Sequence, residues 1–456
     1  MFTQRGIFMI SASITILLLG LLAIRSANAE ETIHELPRYR LEVGQQLNYK
    51  GSNLFEYEGG AFDTRDQWKI FVVSKNGDSW RLVIRYSNVM AQKRAGAVGN
   101  ERESVYWASA DLDSKGNIVE RLGSFGYRVN PSKIFPKLAA DSAELAKGWQ
   151  GDAQFGGVVR YRMMPSDSPD TLKIETVEDR VENTIYGLES SAVYNFDLKR
   201  GLADAIASHS KQTYGFNGEG KGETKLTDIE LHDVEWCAKF AAAAERFLAA
   251  QQAFRVATEA DDATTTSLDE AVNNLREYRD KMEDPELEKQ VDYLLDNFQG
   301  MRKYTEESIR DRKALLGQQA TEFKTTDLDD QPKALSDYRG KVVLLDFWYR
   351  GCGWCIRCMP QLKEVADHYR DKPVVILGMN TDDNVEDAKF VIDKMGLNYT
   401  TLKAPDELPK KFHVHGFPTL ILIDQEGKIR DNHAGWSPTL REDLIKKIDA
   451  ILAETK

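Results

Sequence analysis

From about residue 37 to about residue 226, apolar and polar positions alternate with the period of two expected of strands. Trp68, Ile70 and Val72 alternate with Lys69, Phe71 and Val73, and Asn76-Gly77 then supplies a tight turn. Trp80, Leu82, Ile84 and Tyr86 resume the alternation, so the stretch reads as a β-hairpin. Lys115-Gly116-Asn117 and Arg200-Gly201 mark two further hairpin-like turns, the second between 194–198 and 205–213. Short alternating strands separated by turn signals predict an antiparallel sandwich or barrel. Neither a catalytic constellation nor an internal repeat is legible in it.

From about 228 to 316 the period becomes helical. Trp236, Phe240, Phe247 and Phe254 recur at spacings of four and seven, forming one stripe of an amphipathic helix. The stretch 258–266 is polar and breaks the pattern, and Ser267 with Glu270 forms a capping box for a second helix. Asp284-Pro285 starts a third, whose buried face is Leu287, Val291, Leu294 and Phe298. The region is expected to be a helical hairpin or spacer that carries the last domain. Cys237, beside the aromatic stripe, is expected to be a small buried side chain. From Ala320 strands and helices alternate: strands at 374–379 and 419–423, another opening at 427–430, and helices at 385–395 and 439–453. That order predicts a mixed sheet with flanking helices over 320–456.

The run Val342–Trp348 is mostly apolar and aromatic, as in a strand buried on both faces. Gly351-Cys352-Gly353-Trp354-Cys355 follows and leads into a segment able to be helical. A helix N-terminus offers free N–H groups and partial positive charge. Both favour a thiolate, so Cys352 is expected to be an acidified nucleophile, and the two-residue spacing lets Cys355 reach back to close a disulfide. The pattern DFWxxxCxxC, followed by Met359-Pro360, resembles the thioredoxin superfamily, and within it the TlpA-like extracytoplasmic thiol-disulfide oxidoreductases, over roughly the last third of the chain.

The resemblance implies an α/β thioredoxin-like fold and disulfide exchange with protein thiols or disulfides, coupled to an unidentified redox partner, with no cofactor. It puts Asp346 at the position of a buried acid, here expected to take the Cys355 proton. Pro360 matches a helix-kinking proline. Val414-His415-Gly416-Phe417-Pro418-Thr419 matches the cis-proline loop, and Gly435 the small residue after the last strand. Phe417 is expected to pair its backbone with an extended substrate, and Trp354, Phe417 and Pro418 are the candidate substrate-binding residues. Gly351 stands where the family usually has Trp, and Gly353-Trp354 is neither Gly-Pro nor Pro-His.

The chain has 456 residues, enough for two or three domains. A hydrophobic share of 42% and a charged share of 29% are ordinary for a soluble protein. The net charge of −12 argues against nucleic acid as a partner. Residues 1–29 read as a targeting segment: Arg5 is its basic region, 7–24 its apolar run, and Ala27-Asn28-Ala29 its cleavage site. The apolar run is also about the length of a membrane-spanning helix, so an uncleaved N-terminal anchor is the alternative. Either way an extracytoplasmic location is expected. Of four cysteines, three fall between Cys352 and Cys358, so cysteine serves chemistry here, not stapling.

Other motifs have plainer readings. Asp111-x-Asp113-x-Lys115-Gly116 has Lys115 at the fifth place of a calcium loop and Leu122 at the twelfth, where a glutamate is required, and so reads as a polar turn. Cys358 lies one helical turn beyond Cys355 and is expected to be a buried, reduced thiol. A second disulfide, or a metal site lacking its fourth thiolate, is the alternative for it. His413 and His415 fall on one side of a short extended segment. With Cys352 and Cys355, His415 defines the competing reading, a copper-binding or copper-delivery protein. A peroxide-reducing reading would need a Thr-x-x-Cys setting, and Tyr349 stands at that threonine's place.

Overall fold

In a computed structural model of the chain the described residues are 36–454, apart from 95–96, 99–100, 124–128, 153–156, 180–184, 186, 215–216, 260–264, 282–283 and 438. The targeting segment and most of the polar break at 258–266 lie outside the described residues.

Twelve strands form the first sheet. They are β1 (Gln45–Tyr57), β2 (Gly60–Asn76), β3 (Ser79–Arg94), β4 (Ala97–Val98), β5 (Arg102–Asp113), β6 (Ile118–Gly123), β7 (Trp149–Asp152), β8 (Val158–Met164), β9 (Thr171–Asp179), β10 (Leu188–Asp197), β11 (Leu202–Gln212) and β12 (Gly218–Leu231). A short helix, α1 (Ser142–Lys147), precedes β7. The order is β6-β5-β3-β2-β1-β12-β11-β10-β9-β8-β7, with β4 against β3. The first and last strands meet in the middle and pair antiparallel, Leu47 facing Ile229. The predicted turns hold: Gly77 and Gly116 have φ of 60° and 83°, and Gly201 has 64°. At the calcium-like loop Asp113 Oδ1 accepts from the N–H groups of Lys115 and Asn117, which makes it a polar turn.

The sheet curls. In a flat sheet β5 and β10, six places apart, would be about 29 Å from each other. Yet Tyr39 N–H bonds to Ser114 O after β5, and the next residue, Arg40, bonds through its N–H to Gly201 O after β10. Inward positions of both halves, among them Leu47, Trp68, Leu82, Trp149, Tyr161 and Phe196, share one core. The β-rich reading holds, and within the expected sandwich or barrel the structure shows a single curled sheet whose edges, β6 and β7, do not pair among the described residues. Alternation sets which side chains point inward, but it does not say how the sheet closes.

The helical stretch packs on the outside of this sheet. Helices α2 (Val234–Glu259), α3 (Thr265–Asp280) and α4 (Pro285–Leu315) place Phe240, Phe247, Leu275, Leu287 and Val291 over Phe71, Val73, Val83 and Trp107. Phe240 and Phe71 are 4.6 Å apart between ring centres. The stretch expected as a helical hairpin or spacer also covers the sheet: Phe71 and Val73, at the outward positions of β2, need cover, and the aromatic stripe of α2 supplies it. Asp284 caps α4, accepting from the N–H groups of Glu286 and Leu287. Helix α3 is described from Thr265, and Ser267, the expected cap, lies within its described residues. Cys237 is buried, as expected.

The chain then enters a second sheet through two backbone bonds, Gly317 N–H to Ile429 O and Ala320 N–H to Gly427 O. A small hairpin, β13 (Lys324–Thr326) and β14 (Pro332–Ala334), precedes it. Its strands are β15 (Val342–Trp348), β16 (Val374–Asn380), β17 (Thr400–Lys403), β18 (Thr419–Ile423) and β19 (Ile429–Ala434), ordered β17-β16-β15-β18-β19. Three are parallel and the last two antiparallel. Every residue of β15 is buried. Val342 and Leu344 pack beneath α5 (Gly353–His368) and α8 (Leu440–Glu454), through Leu362, Val365, Leu444 and Ile448. Val343, Leu345 and Phe347 face Phe323, Leu408 and Phe412 on the other side. Helices α6 (Val385–Met395) and α7 (Glu407–Lys411) complete the layers.

Candidate active site

The central strand β15 and helix α5 meet at Cys352. Cys352 is the N-cap of α5 in extended conformation, and its Sγ accepts the N–H of Cys355 at 3.1 Å. The two cysteines form a disulfide with Cα atoms 5.2 Å apart. After reduction the same free N–H groups and helix field would stabilise a thiolate on Cys352. Pro360 lies within α5. The Phe417–Pro418 peptide is cis. Its loop is fixed by Thr419 Oγ1 donating to Gly416 O at 2.7 Å and by Gly435 N–H donating to Pro418 O at 2.9 Å. Phe417 packs against the cysteine cluster and meets Tyr349 edge-on at 5.2 Å.

Asp346 lies on β15, on the face covered by α5, and is 1% exposed. Burial pushes its carboxyl up to about 7, against a weaker opposing effect from the hydrogen bond that Tyr399 Oη donates at 3.2 Å. Its Oδ1 accepts no hydrogen bond. Cys358 is buried and reduced, and its thiol is pushed well up by burial and by the negative charge of Asp346. Tyr399 is raised by burial first and by Asp346 second. The structure therefore groups Asp346 and Tyr399 with Cys358 on the buried face of the helix that carries the disulfide. Tyr399 lies 53 residues beyond Asp346 in the chain with no motif around it, and sequence reasoning missed it.

The outer surface has further parts. Trp354 is 43% exposed and stacks on Trp436 at 5.9 Å. The Arg357 guanidinium lies 4.6 Å over the Trp354 ring. On the other flank Ile185, from the connection between β9 and β10, is fully buried in one cluster with Trp348, Cys352, Cys355 and Ile356. Arg350 holds it there: one guanidinium nitrogen donates to Ile185 O at 2.9 Å and another to Asp387 at 2.8 Å. The guanidinium stacks 3.6 Å from the Tyr214 ring centre and 4.2 Å from that of Phe390. Cys352 is consequently only 5% exposed. Ile185, Tyr214 and Arg350 carry no motif; their roles arise from a contact between segments more than 130 residues apart.

His415 does not join the cysteines. Its Nε2 lies 3.1 Å from Asp311 Oδ2 on α4, and His413 Nδ1 lies 3.4 Å from the same oxygen. A copper site shared by His415 and the cysteine pair gains no support from this placement.

A thioredoxin-like sheet with a disulfide at a helix N-cap, a cis proline and a buried acid beneath defines a thiol-disulfide redox protein. Residues 316–432 match the AhpC/TSA family. A thiol-disulfide oxidoreductase ResA of Geobacillus kaustophilus is 31% identical over 137 residues, spanning 30% of this chain and 78% of that protein. The thioredoxin-like protein YneN of Bacillus subtilis is 27% identical, spanning 34% of this chain and 92% of that protein. The solved thioredoxin domain of a thiol-disulfide oxidoreductase from Bacteroides vulgatus is 31% identical over 29% of this chain and 97% of its own, with a TM-score of 0.28. Through its last third, the chain belongs to the thioredoxin-like thiol-disulfide oxidoreductases typified by ResA.

Proposed function

We propose that the chain is an exported oxidoreductase that exchanges disulfides with protein thiols through Cys352 and Cys355. The observation that carries this is the placement of Cys352 Sγ on the Cys355 N–H, at the start of α5 and in one cluster with Phe417 of the cis-proline loop. In the reducing direction the Cys352 thiolate attacks one sulfur of a partner disulfide, forming a mixed disulfide and expelling a partner thiolate. Cys355 then gives up its proton and attacks Cys352 Sγ. The second partner thiolate leaves, the partner is reduced by two electrons, and the Cys352–Cys355 pair is oxidised. The reverse sequence oxidises a dithiol.

Asp346, raised to about 7 by burial, holds or releases a proton near neutral pH and serves as the reservoir for the Cys355 proton. Trp354, Phe417 and Pro418 form the partner-facing surface. The curled sheet supplies the opposite wall through Ile185, so residues 37–316 help decide which partners reach the pair. The expected export rests on residues 1–29, and no helix among the described residues is long and apolar enough to cross a membrane. Trapping tests the reading: Cys355→Ser should accumulate mixed disulfides that non-reducing gels resolve and dithiothreitol releases. A Cys355→Ser chain that captures no partner through Cys352 would overturn it. Fusion of residues 1–35 to alkaline phosphatase should give an active, exported enzyme, and an inactive fusion would remove the extracytoplasmic assignment.

A further inference from the structure

We propose that Asp311, His413 and His415 form a binding site for a divalent cation of the zinc class, which ties helix α4 to the loop leading into Pro418. The site stands apart from the disulfide chemistry. One carboxylate oxygen and two imidazole nitrogens, the ligand set that zinc favours, converge with all three atoms within 4.8 Å of one another. Asp311 Oδ2 lies 3.4 Å from His413 Nδ1 and 3.1 Å from His415 Nε2. Four ligands at zinc-to-nitrogen and zinc-to-oxygen distances of about 2.0–2.1 Å stand about 3.3–3.4 Å apart at the corners of a tetrahedron. The two distances therefore suit a shared ion as well as they suit direct pairing, and the fourth corner is left for water.

The local backbone holds these groups in place. His413 has φ of 49°, a left-handed conformation that turns the chain sharply after α7. Val414 N–H bonds to Pro409 O and its side chain packs into the domain core, while His413 and His415 on either side of it are exposed. Arg310 Nε lies 3.6 Å from Asp311 Oδ1, on the side of the carboxylate away from the Oδ2 that meets the imidazoles. The site is half-exposed, so an ion has a path in: Asp311, His413 and His415 are 21%, 42% and 32% exposed. Imidazole ligates metals in its neutral form, so binding should weaken in acid.

The test is calorimetric titration of ZnCl2 into the full chain, stripped with a chelator and kept in its disulfide form so that Cys352 and Cys355 cannot compete. One ion per chain should bind. Asp311→Asn, His413→Asn and His415→Gln should each weaken binding by at least about tenfold. Asparagine tolerates the left-handed backbone at 413, and circular dichroism identical to the parent's excludes misfolding as the cause. Co2+ in place of zinc should give the intense visible absorption of a tetrahedral site, and zinc should raise the parent's melting temperature but not the variants'. Absence of zinc binding by the parent overturns the proposal, as does binding that all three folded variants retain at parental strength.

Discussion

In the mechanism proposed above, Asp346 is the residue on which the proton chemistry turns. Its carboxyl stands at about 7 in the folded chain, above its ordinary value of 3.8, because β15 and α5 deprive it of water. A raised carboxyl means that the folded state holds the proton more tightly than the unfolded state. The corresponding stability is fully present below about pH 4 and is lost as pH rises towards 7, by at most roughly 4 kcal/mol. Asp346→Asn should abolish that loss, so denaturant unfolding of the two proteins between pH 4 and 8 should give curves that diverge through this window. Parallel curves would show that Asp346 is not protonated in the folded state. Cys358, on the buried face of α5 and raised by burial, should react with iodoacetamide only after denaturation, and rapid native alkylation would bring it into the chemistry. The cysteine pair was legible because a strand–Cys-x-x-Cys–helix pattern has a fixed chemical reason, and the cis proline and the buried acid were legible through the family resemblance. Tyr399 and Trp436 were not, since they reach the site only through tertiary packing, and Arg350, though beside Cys352 in the chain, takes its role from tertiary contacts with Ile185, Tyr214 and Phe390.

At the scale of elements, the connection between β9 and β10 meets the redox helix at Ile185. Burying such a side chain contributes about 1.5–3 kcal/mol, and loss of the lower figure would raise access to the disulfide about tenfold. Ile185→Ser should therefore speed reduction of the Cys352–Cys355 bond by dithiothreitol, followed by tryptophan fluorescence, by about that factor. An unchanged rate would show that Ile185 does not limit access. Helix α2 presents a second case. Phe240 fills the space above Phe71 and Trp107, and Phe240→Ala should cost about 3–5 kcal/mol in urea unfolding. A cost below about 1 kcal/mol would mean that the helical layer adds little to the sheet. The element types and most turns were readable from periodicity. The seat of α2 on the sheet was encoded too, in Phe71 and Val73 at positions that an exposed face would leave polar, but periodicity alone does not name the partner.

For the whole molecule, the sheet-and-helix part and the last domain have their own cores and meet at Ile185 and Tyr214 and between Asp311 and the histidines His413 and His415. Residues 320–456 contain both faces of the second sheet and every part of the redox site except Ile185 and Tyr214. That fragment should fold alone, and its disulfide should be reduced faster than in the full chain, because the wall formed by Ile185 is gone. An unfolded fragment, by its circular dichroism, would show that the first sheet and its helices are part of the folding unit. The curl and opening of that sheet could not be read from the chain, because they depend on bonds from residues 39–40 to turns on opposite halves. Turbidity measured as dithiothreitol reduces insulin is the most direct test of the central assignment. The parent should accelerate precipitation, and Cys352→Ser, with its fold intact by circular dichroism, should bring the rate back to that of dithiothreitol alone. Parental turnover by Cys352→Ser would contradict the assignment of Cys352 as the nucleophile.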